Sequence, residues 1–591
     1  MELLPLVLAQ AGCLLALAIT AWAAGWVAWG RRDPARLLHP LTLVVGLASL
    51  GSVWLLLSAL HLFSPWVLAA VAAAAVAAAA PGWRRLYGTA AAPPRQLPRD
   101  LAGTAILVAA GVGSFAIALF PPTAFDETTY HLPLARAFLE QRGLPWVPEL
   151  RVPAFPLLAE GLQASLLALG GESAPHQLAL LANLATAALL LVWGREAFEP
   201  AAGWLAAALY LGNPLVAYLG GTAYVDPLVG LFTTGAFYCL WRARDGGAAW
   251  ASTAGFLAGA AAAVKYLGLY ALLVGGVAML LGRVDRWPKL VSFAAAAALA
   301  TALPYGYLVW RTGNPLFPFV SSIFGTSAWT PELSGFVPEH DSSVLMLPFN
   351  SVFHRELTGN QPPLSPALLL GVVVLAPALV RLRCLRAGTL VVAGYFLAYA
   401  AIPVVSRYLI VVLPLFTLLV GVAASWAWGR LRRGAPPREL AAALALAIAF
   451  PGAAYGAFYL VQRGGIPASR TAREAYLAET HAGYGTLAWL QRRQEGYVTL
   501  CVACEHLHGL ATGRLLGEHF GPWSYFKTRS WLRDPAILED RMKAAGVTYL
   551  LLPRSEAARF RSRDAAARFE LLHGDPDFEV WRLRPAPRGG G

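Results

Sequence analysis

Runs of roughly 15–22 apolar residues follow one another along most of the chain, separated by short stretches that carry arginine. About fourteen are visible: 4–29, 41–60, 66–80, 101–120, 178–193, 201–218, 227–241, 251–264, 266–281, 290–310, 364–380, 387–404, 408–428 and 440–460. Each is long enough, or nearly so, to cross a ~30 Å hydrocarbon layer. Lipid offers no partner to backbone N–H and C=O groups, so a spanning run is either a helix or a strand of a closed barrel. The period-2 alternation of a barrel is absent, and the pattern predicts an all-α polytopic membrane bundle.

Near residue 461 the pattern changes to charged residues of both signs and short alternating segments. Stretches 497–502, 547–552 and 579–583 read as strands and 537–545 as an amphipathic helix, which predicts a small α/β domain. The expected organisation has three parts. Residues 1–100 hold three spans, 101–461 form a core with long loops 121–177 and 311–363, and 462–591 form the α/β domain.

Composition agrees, with 57% hydrophobic and 13% charged residues, against ~45–50% and ~25% in soluble domains. Five cysteines in 591 residues exclude a disulfide scaffold. The net charge of +13 raises nucleic-acid binding until the cations are placed. Arg31, Arg32 and Arg36; Arg84, Arg85, Arg95 and Arg99; Arg195; Arg242 and Arg244; Arg283, Arg286 and Lys289; Arg381, Arg383 and Arg386; and Arg430, Arg432, Arg433 and Arg438 all fall on one side of the spans. By the positive-inside rule that side is the cytoplasm, so the N-terminus, both long loops and the α/β tail face outward. The charge then sets orientation, and nucleic acid is not an expected partner. The start Met1-Glu2-Leu3-Leu4 lacks a basic n-region, so the first span is expected to be retained.

The outer face gathers the candidate chemistry. In Phe125-Asp126-Glu127-Thr128-Thr129-Tyr130-His131 an acidic pair follows a span directly. On a helix running from Asp126 to about Gln141, Asp126 and Tyr130 share one face and Glu127 and His131 another. Such a cluster suits a general base or a divalent cation, and it equally suits an N-cap with a dipole-complementing neighbour. Asp226 precedes Pro227 at a helix start, as a cap or as a second outer acid. Lys265 and Arg407 lie at span ends on the same face, where a cation snorkels outward or meets an anion such as a lipid phosphate. Carboxylates beside phosphate-binding cations at headgroup depth fit an enzyme acting on a lipid-linked phosphosugar.

These motifs, with Pro156, Tyr224-Val225-Asp226, Lys265-Tyr266, Gly313-Asn314-Pro315 and Arg407-Tyr408, resemble the bacterial GT-C glycosyltransferases. The pattern is similar to the group of protein O-mannosyltransferases, aminoarabinose transferases and rhizobial lipopolysaccharide-core glycosyltransferases, over about residues 101–460. The resemblance implies a polyprenyl-phosphate sugar donor, an extracytoplasmic acceptor and a bacterial inner membrane. It implies Asp126 as catalytic base with Glu127 as the second acid of the pair. Asp226, Lys265, Arg407, Tyr130 and His131 become substrate-binding candidates, with Asp126, Glu127 and Asp226 as the ligands of any divalent cation. In one respect the chain departs from the family, where the acidic loop follows the first span; here three more spans precede it.

Two other classes compete. A transporter or flippase for a lipid-linked or anionic solute predicts inverted hydropathy repeats, and only the short Gly212-Asn213-Pro214 and Gly313-Asn314-Pro315 match recurs. A polysaccharide polymerase or ligase predicts an outer arginine or histidine as the dominant group. Cys501-Val502-Ala503-Cys504 with His506 and His508 has metal-like spacing but no second knuckle, so a local disulfide or two plain thiols is expected. His340, Asp341, His354 and Arg355 in the second long loop are minor acceptor-contact candidates.

Overall fold

A computed structural model describes residues 2–32, 36–90, 101–282, 285–325, 346–399, 405–431, 438–519 and 522–584. Arg95, Arg99, Arg283, Arg432, Arg433, His340 and Asp341 lie outside the described residues.

The described part of each apolar run is mainly helical, and residues 400–404 of the run 387–404 lie outside the described residues. The principal helices begin with α1 (Leu3–Ala28), α2 (Pro40–Ala59), α3 (Pro65–Ala78), α4 (Leu101–Ala118), α5 (Leu132–Gln141) and α6 (Leu158–Gly170). They continue with α7 (His176–Ala197), α8 (Pro200–Leu211), α9 (Pro214–Leu219), α10 (Asp226–Ala243), α11 (Ala248–Val264) and α12 (Leu269–Leu280). The set closes with α13 (Arg286–Thr312), α14 (Ala367–Arg381), α15 (Cys384–Tyr399), α16 (Leu413–Leu431) and α17 (Arg438–Gln462). Among the described residues five helices, α1, α2, α7, α13 and α16, are long and apolar enough to cross a membrane on their own. Several other apolar helices are shorter, and α3 is bent by 53° against the helical turns that follow it. The run 201–218 divides into α8 and α9 because Pro214 cannot continue the ladder and Asn213 accepts from Leu215 N–H to start the second piece.

The bundle is packed as lipid-embedded helices are, with small residues at the crossings. A Cβ on Gly25 of α1 would collide with the Thr42 carbonyl of α2, and one on Gly46 with the Ala21 carbonyl. Large apolar side chains face outward, Leu8 at 62% exposure, Leu299 at 75% and Leu397 at 74%, as suits an apolar solvent.

The stretch 121–177 is no open loop. It holds α5 and α6, whose Leu134, Phe138, Leu158 and Leu162 are fully buried in the main core. The first helices brace this stretch: α2 packs on α6, the Phe63 ring lies tilted against Phe138 with centroids 5.2 Å apart, and Gln10 donates to the Gly170 carbonyl. The three extra N-terminal runs therefore have a structural place beside the segment that carries Asp126.

The tail forms a five-stranded mixed sheet of order β2-β1-β3-β5-β4, with β1 Val498–Cys501, β2 Arg514–Leu516, β3 Tyr549–Pro553, β4 Phe569–Gly574 and β5 Phe578–Leu583. β1 pairs parallel with β2 and β3, and β5 pairs antiparallel with β3 and β4. Three strands and the helix Pro535–Ala544 follow the sequence expectation. β2 escapes it because three residues show no alternation, and β4 because a bulge at Leu571/His573 disturbs its period. Cys501 and Cys504 are joined as a disulfide at the end of β1. His506 and His508 are bonded instead to the Ala482 and Gly517 carbonyls.

Candidate active site

Pro121 and Pro122 end the reach of α4, and the chain re-enters a helix through a π turn, Glu127–His131, closed by the Leu132 N–H bond to the Glu127 carbonyl. Asp126 stands at its mouth and makes no capping bond. Its Oδ2 accepts from Tyr130 Oη at 2.5 Å and from Arg407 Nη2 at 2.5 Å. Asp126 and Tyr130 thus share a face, as the spacing predicts. Burial pushes the Asp126 carboxyl up, but Arg407, Lys265, His131 and the Tyr130 hydroxyl together hold it well below the usual carboxylate range.

Glu127 turns elsewhere. Its Oε1 accepts from the Thr123 and Ala124 N–H groups at 2.5 and 2.6 Å, and its Oε2 accepts from Ala223 N–H at 2.6 Å. His176 Nε2 lies 3.3 Å from that same Oε2. The carboxylate clamps the start of the π turn to the segment before Asp226, much as a capping-box acid reaches back. His131 does not join Glu127; its Nδ1 lies 2.7 Å from Glu160 Oε1 of α6, with both side chains fully buried.

Asp226 is the first residue of α10, one place beyond its cap residue Val225, and it is fully buried. Its Oδ1 meets Lys265 Nζ at 3.1 Å. Lys265 interrupts the helical path with extended backbone between α11 and the short turn Tyr266–Gly268. Arg407 is the second residue of the 3-10 turn Ser406–Val411, whose Ile410 carbonyl approaches α10 where Gly230 leaves room. The guanidinium lies 4.3 Å over the Tyr224 ring, while Tyr408 faces Lys265 at 4.9 Å and Arg407 at 5.4 Å. Among the described residues Arg407 Nε and Nη1 and Asp226 Oδ2 are buried without a hydrogen-bond partner. Two ion pairs, Asp126–Arg407 and Asp226–Lys265, therefore sit around Tyr408. Below the Arg407 turn lies a cleft of about 100 Å³ lined only by apolar side chains, among them Leu364, Leu368, Phe396, Leu409 and Phe416.

The tail domain closes over the π turn. Gly509 lies so near Thr128 that a Cβ there would stand 2.8 Å from the Thr128 backbone, and Arg136 of α5 donates to the Gly509 carbonyl at 2.9 Å and to that of Ala511. Arg514 to Glu149, Arg473 to Glu172 and Arg151 to Glu518 pair the same two regions.

Sequence reasoning missed Glu160, His176, Tyr224 and Tyr408 as site residues. The first two are partners fixed only by tertiary packing; the two tyrosines stood beside Asp226 and Arg407 in the quoted motifs. Asp126, Glu127 and Asp226 are not gathered into one ligand set, and no group of three or more His, Cys, Asp or Glu among the described residues could hold a metal ion. His354 pairs with Glu356 at an exposed position.

The backbone path of this bundle matches that of ArnT from Cupriavidus metallidurans in the apo state, at TM-score 0.52 and 15% identity, over 81% of this chain and 97% of that one. The fold is that of ArnT. ArnT from the same organism bound to undecaprenyl phosphate aligns with this chain at TM-score 0.50 and 16% identity, over 81% and 97% of the two chains. The family model for dolichyl-phosphate-mannose-protein mannosyltransferase matches residues 177–305, a stretch that includes Asp226 and Lys265. A second family model, which carries no functional description, matches residues 472–582. No curated protein sequence matches the chain significantly.

Proposed function

We propose that this chain moves a sugar from a polyprenyl-phosphate donor to a hydroxyl of an extracytoplasmic glycolipid, polysaccharide or protein, with inversion at the anomeric carbon. The observation that carries the reading is the pairing of the Asp126 carboxylate with a guanidinium that has two further buried donors, Nε and Nη1, unspent among the described residues. A buried donor without a partner is costly, and a phosphate would satisfy both. The apolar cleft beneath the Arg407 turn suits the first isoprene units of such a donor. The likeness to ArnT, which has been crystallised with undecaprenyl phosphate, supports the donor class.

In this mechanism the acceptor oxygen attacks the anomeric carbon on the face opposite the phosphate and gives its proton to Asp126. The bond from that carbon to the phosphate oxygen breaks with its electron pair, and polyprenyl phosphate leaves. Arg407 and Lys265 stabilise the charge that collects on the phosphate, with Asp226 holding Lys265 in place. Asp126 is a weak base while Arg407 grips it. Donor phosphate shares that guanidinium, loosens the grip and raises the carboxylate's basicity when the acceptor is present. Tyr130 orients Asp126, and Glu127 and His131 hold the π turn from behind.

The same reading places about fourteen spans in the inner membrane, with both termini and the tail domain outside. Residues 1–100 brace the 101–461 core, and 462–591 cover the acceptor side. The test is release of polyprenyl phosphate from a polyprenyl-phosphate hexose by the purified protein in detergent or vesicles. Turnover that Asp126→Asn abolishes is expected; no release from any donor, together with solute flux in vesicles, would show a transporter instead.

A further inference from the structure

The helices that bear the Asp126 site carry a second cluster of cations at their other ends. α10 begins at Asp226 and finishes at Ala243, a run of about 27 Å at 1.5 Å per residue. α11 returns toward Lys265, and α13 departs from the far end at Arg286. At that end α10, α12, α13, α15 and α16 enclose a cavity of about 600 Å³. Its wall is apolar, with Phe237, Trp241 and Leu419 among the lining side chains, and its cations are Arg244, Arg286 and Lys289. Among the described residues no aspartate or glutamate lines it.

Lys289 decides the reading. It lines the cavity at only 8% exposure, and it has neither a side-chain hydrogen bond nor an ion pair among the described residues. Its stem is buried while its ammonium keeps access to the cavity space, so an anion entering there meets an unpaired cation. Asp245 and Asp285 are close in sequence, but both are exposed and neither lines the cavity. Three cations at the mouth of an apolar volume, at the end of membrane helices, are complementary to an amphiphile with an anionic head. The donor phosphate proposed above belongs at Arg407, at the opposite end of α10, and an isoprenoid tail has no use for cations. The size is that of a ligand site.

We propose that this cavity binds an anionic glycerophospholipid from the leaflet opposite the Asp126 site. Its phosphate sits among Lys289, Arg286 and Arg244, and an acyl chain lies against Phe237, Trp241 and Leu419. The site stands independently of the transfer reaction.

Native mass spectrometry of the full-length protein, delipidated in detergent and titrated with phosphatidylglycerol, phosphatidylcholine or undecaprenyl phosphate, tests the proposal. Phosphatidylglycerol is expected to be retained over phosphatidylcholine. Arg286→Gln, at an exposed position that tolerates change, should weaken its retention about fivefold, and Lys289→Gln with Arg286→Gln about 25-fold, at about fivefold per cation. Undecaprenyl phosphate binding should be unchanged in both. Equal retention of the two phospholipids, or of phosphatidylglycerol by the parent and Arg286→Gln proteins, would overturn the proposal. Parallel loss of undecaprenyl phosphate would also overturn it, by making the cavity part of the donor site.

Discussion

Arg407 donates from Nη2 to Asp126 Oδ2 at 2.5 Å, joining positions 281 residues apart in the chain. The contact makes each residue the other's counter-charge in a buried setting, so neither is removed without cost to its partner. Arg407→Gln should destabilise the protein by about 3–5 kcal/mol, because an ionised carboxylate is left buried. The double variant Asp126→Asn, Arg407→Gln should recover part of that loss. Thermal unfolding of the four proteins in a double-mutant cycle checks it, and additive losses would show that the pair is not coupled.

Asp126→Asn alone keeps the shape but cannot take a proton. Turnover should fall by about 10²–10⁴-fold, the usual worth of a positioned acid or base. Donor binding should remain within a few-fold of the parent protein, as measured by isothermal titration with undecaprenyl phosphate.

Glu127→Gln replaces a carboxylate that accepts from the Thr123, Ala124 and Ala223 N–H groups. The amide nitrogen then faces a backbone donor, at a cost of about 1–3 kcal/mol. The expected result is a lower Tm with a smaller loss of turnover per folded molecule than Asp126→Asn shows. A loss of turnover equal to that of Asp126→Asn at unchanged Tm would make Glu127 the base.

Gly509→Val places a branched side chain against the Thr128 backbone. The tail domain should lift from the π turn, with faster proteolysis between residues 462 and 470 and reduced turnover. Limited trypsin digestion reads the first effect and the donor assay the second.

Glu518 gives the tail a pH dependence. Burial pushes its carboxyl up to about 7, with Arg151 opposing the rise. The folded state therefore holds this proton more tightly than the unfolded state, whose Glu titrates near ~4.3. Its stabilising effect is complete below that value and is lost as pH rises toward 7, at up to about 1.4 kcal/mol per pH unit. Glu518→Gln should flatten this slope in thermal unfolding between pH 5 and pH 8.

The helical runs were legible because hydropathy is a local property that lipid enforces residue by residue. The acids and cations on one face were also legible, since each stands at the end of a run. Their pairing was not: Asp226 meets Lys265 across 39 positions and Asp126 meets Arg407 across 281, and no local spacing encodes either. His176 and Glu160 stand in none of the motifs that mark the site, yet they close the contacts behind Glu127 and His131. The stretch 121–177 read as a loop because its apolar residues are interrupted by polar and proline positions, and these are buried by the first two helices and the tail rather than by lipid.

The π turn at Glu127–His131 accommodates one residue more than an α turn would. Deleting Thr129 would restore α geometry and rotate everything before it by about 100° relative to α5. Asp126 would swing away from Arg407 although no residue of the site had changed identity. This segment is consequently a place where sequence length is as constrained as sequence content. Natural variation around Asp126 should proceed by substitution, with insertions and deletions confined to positions before Pro121.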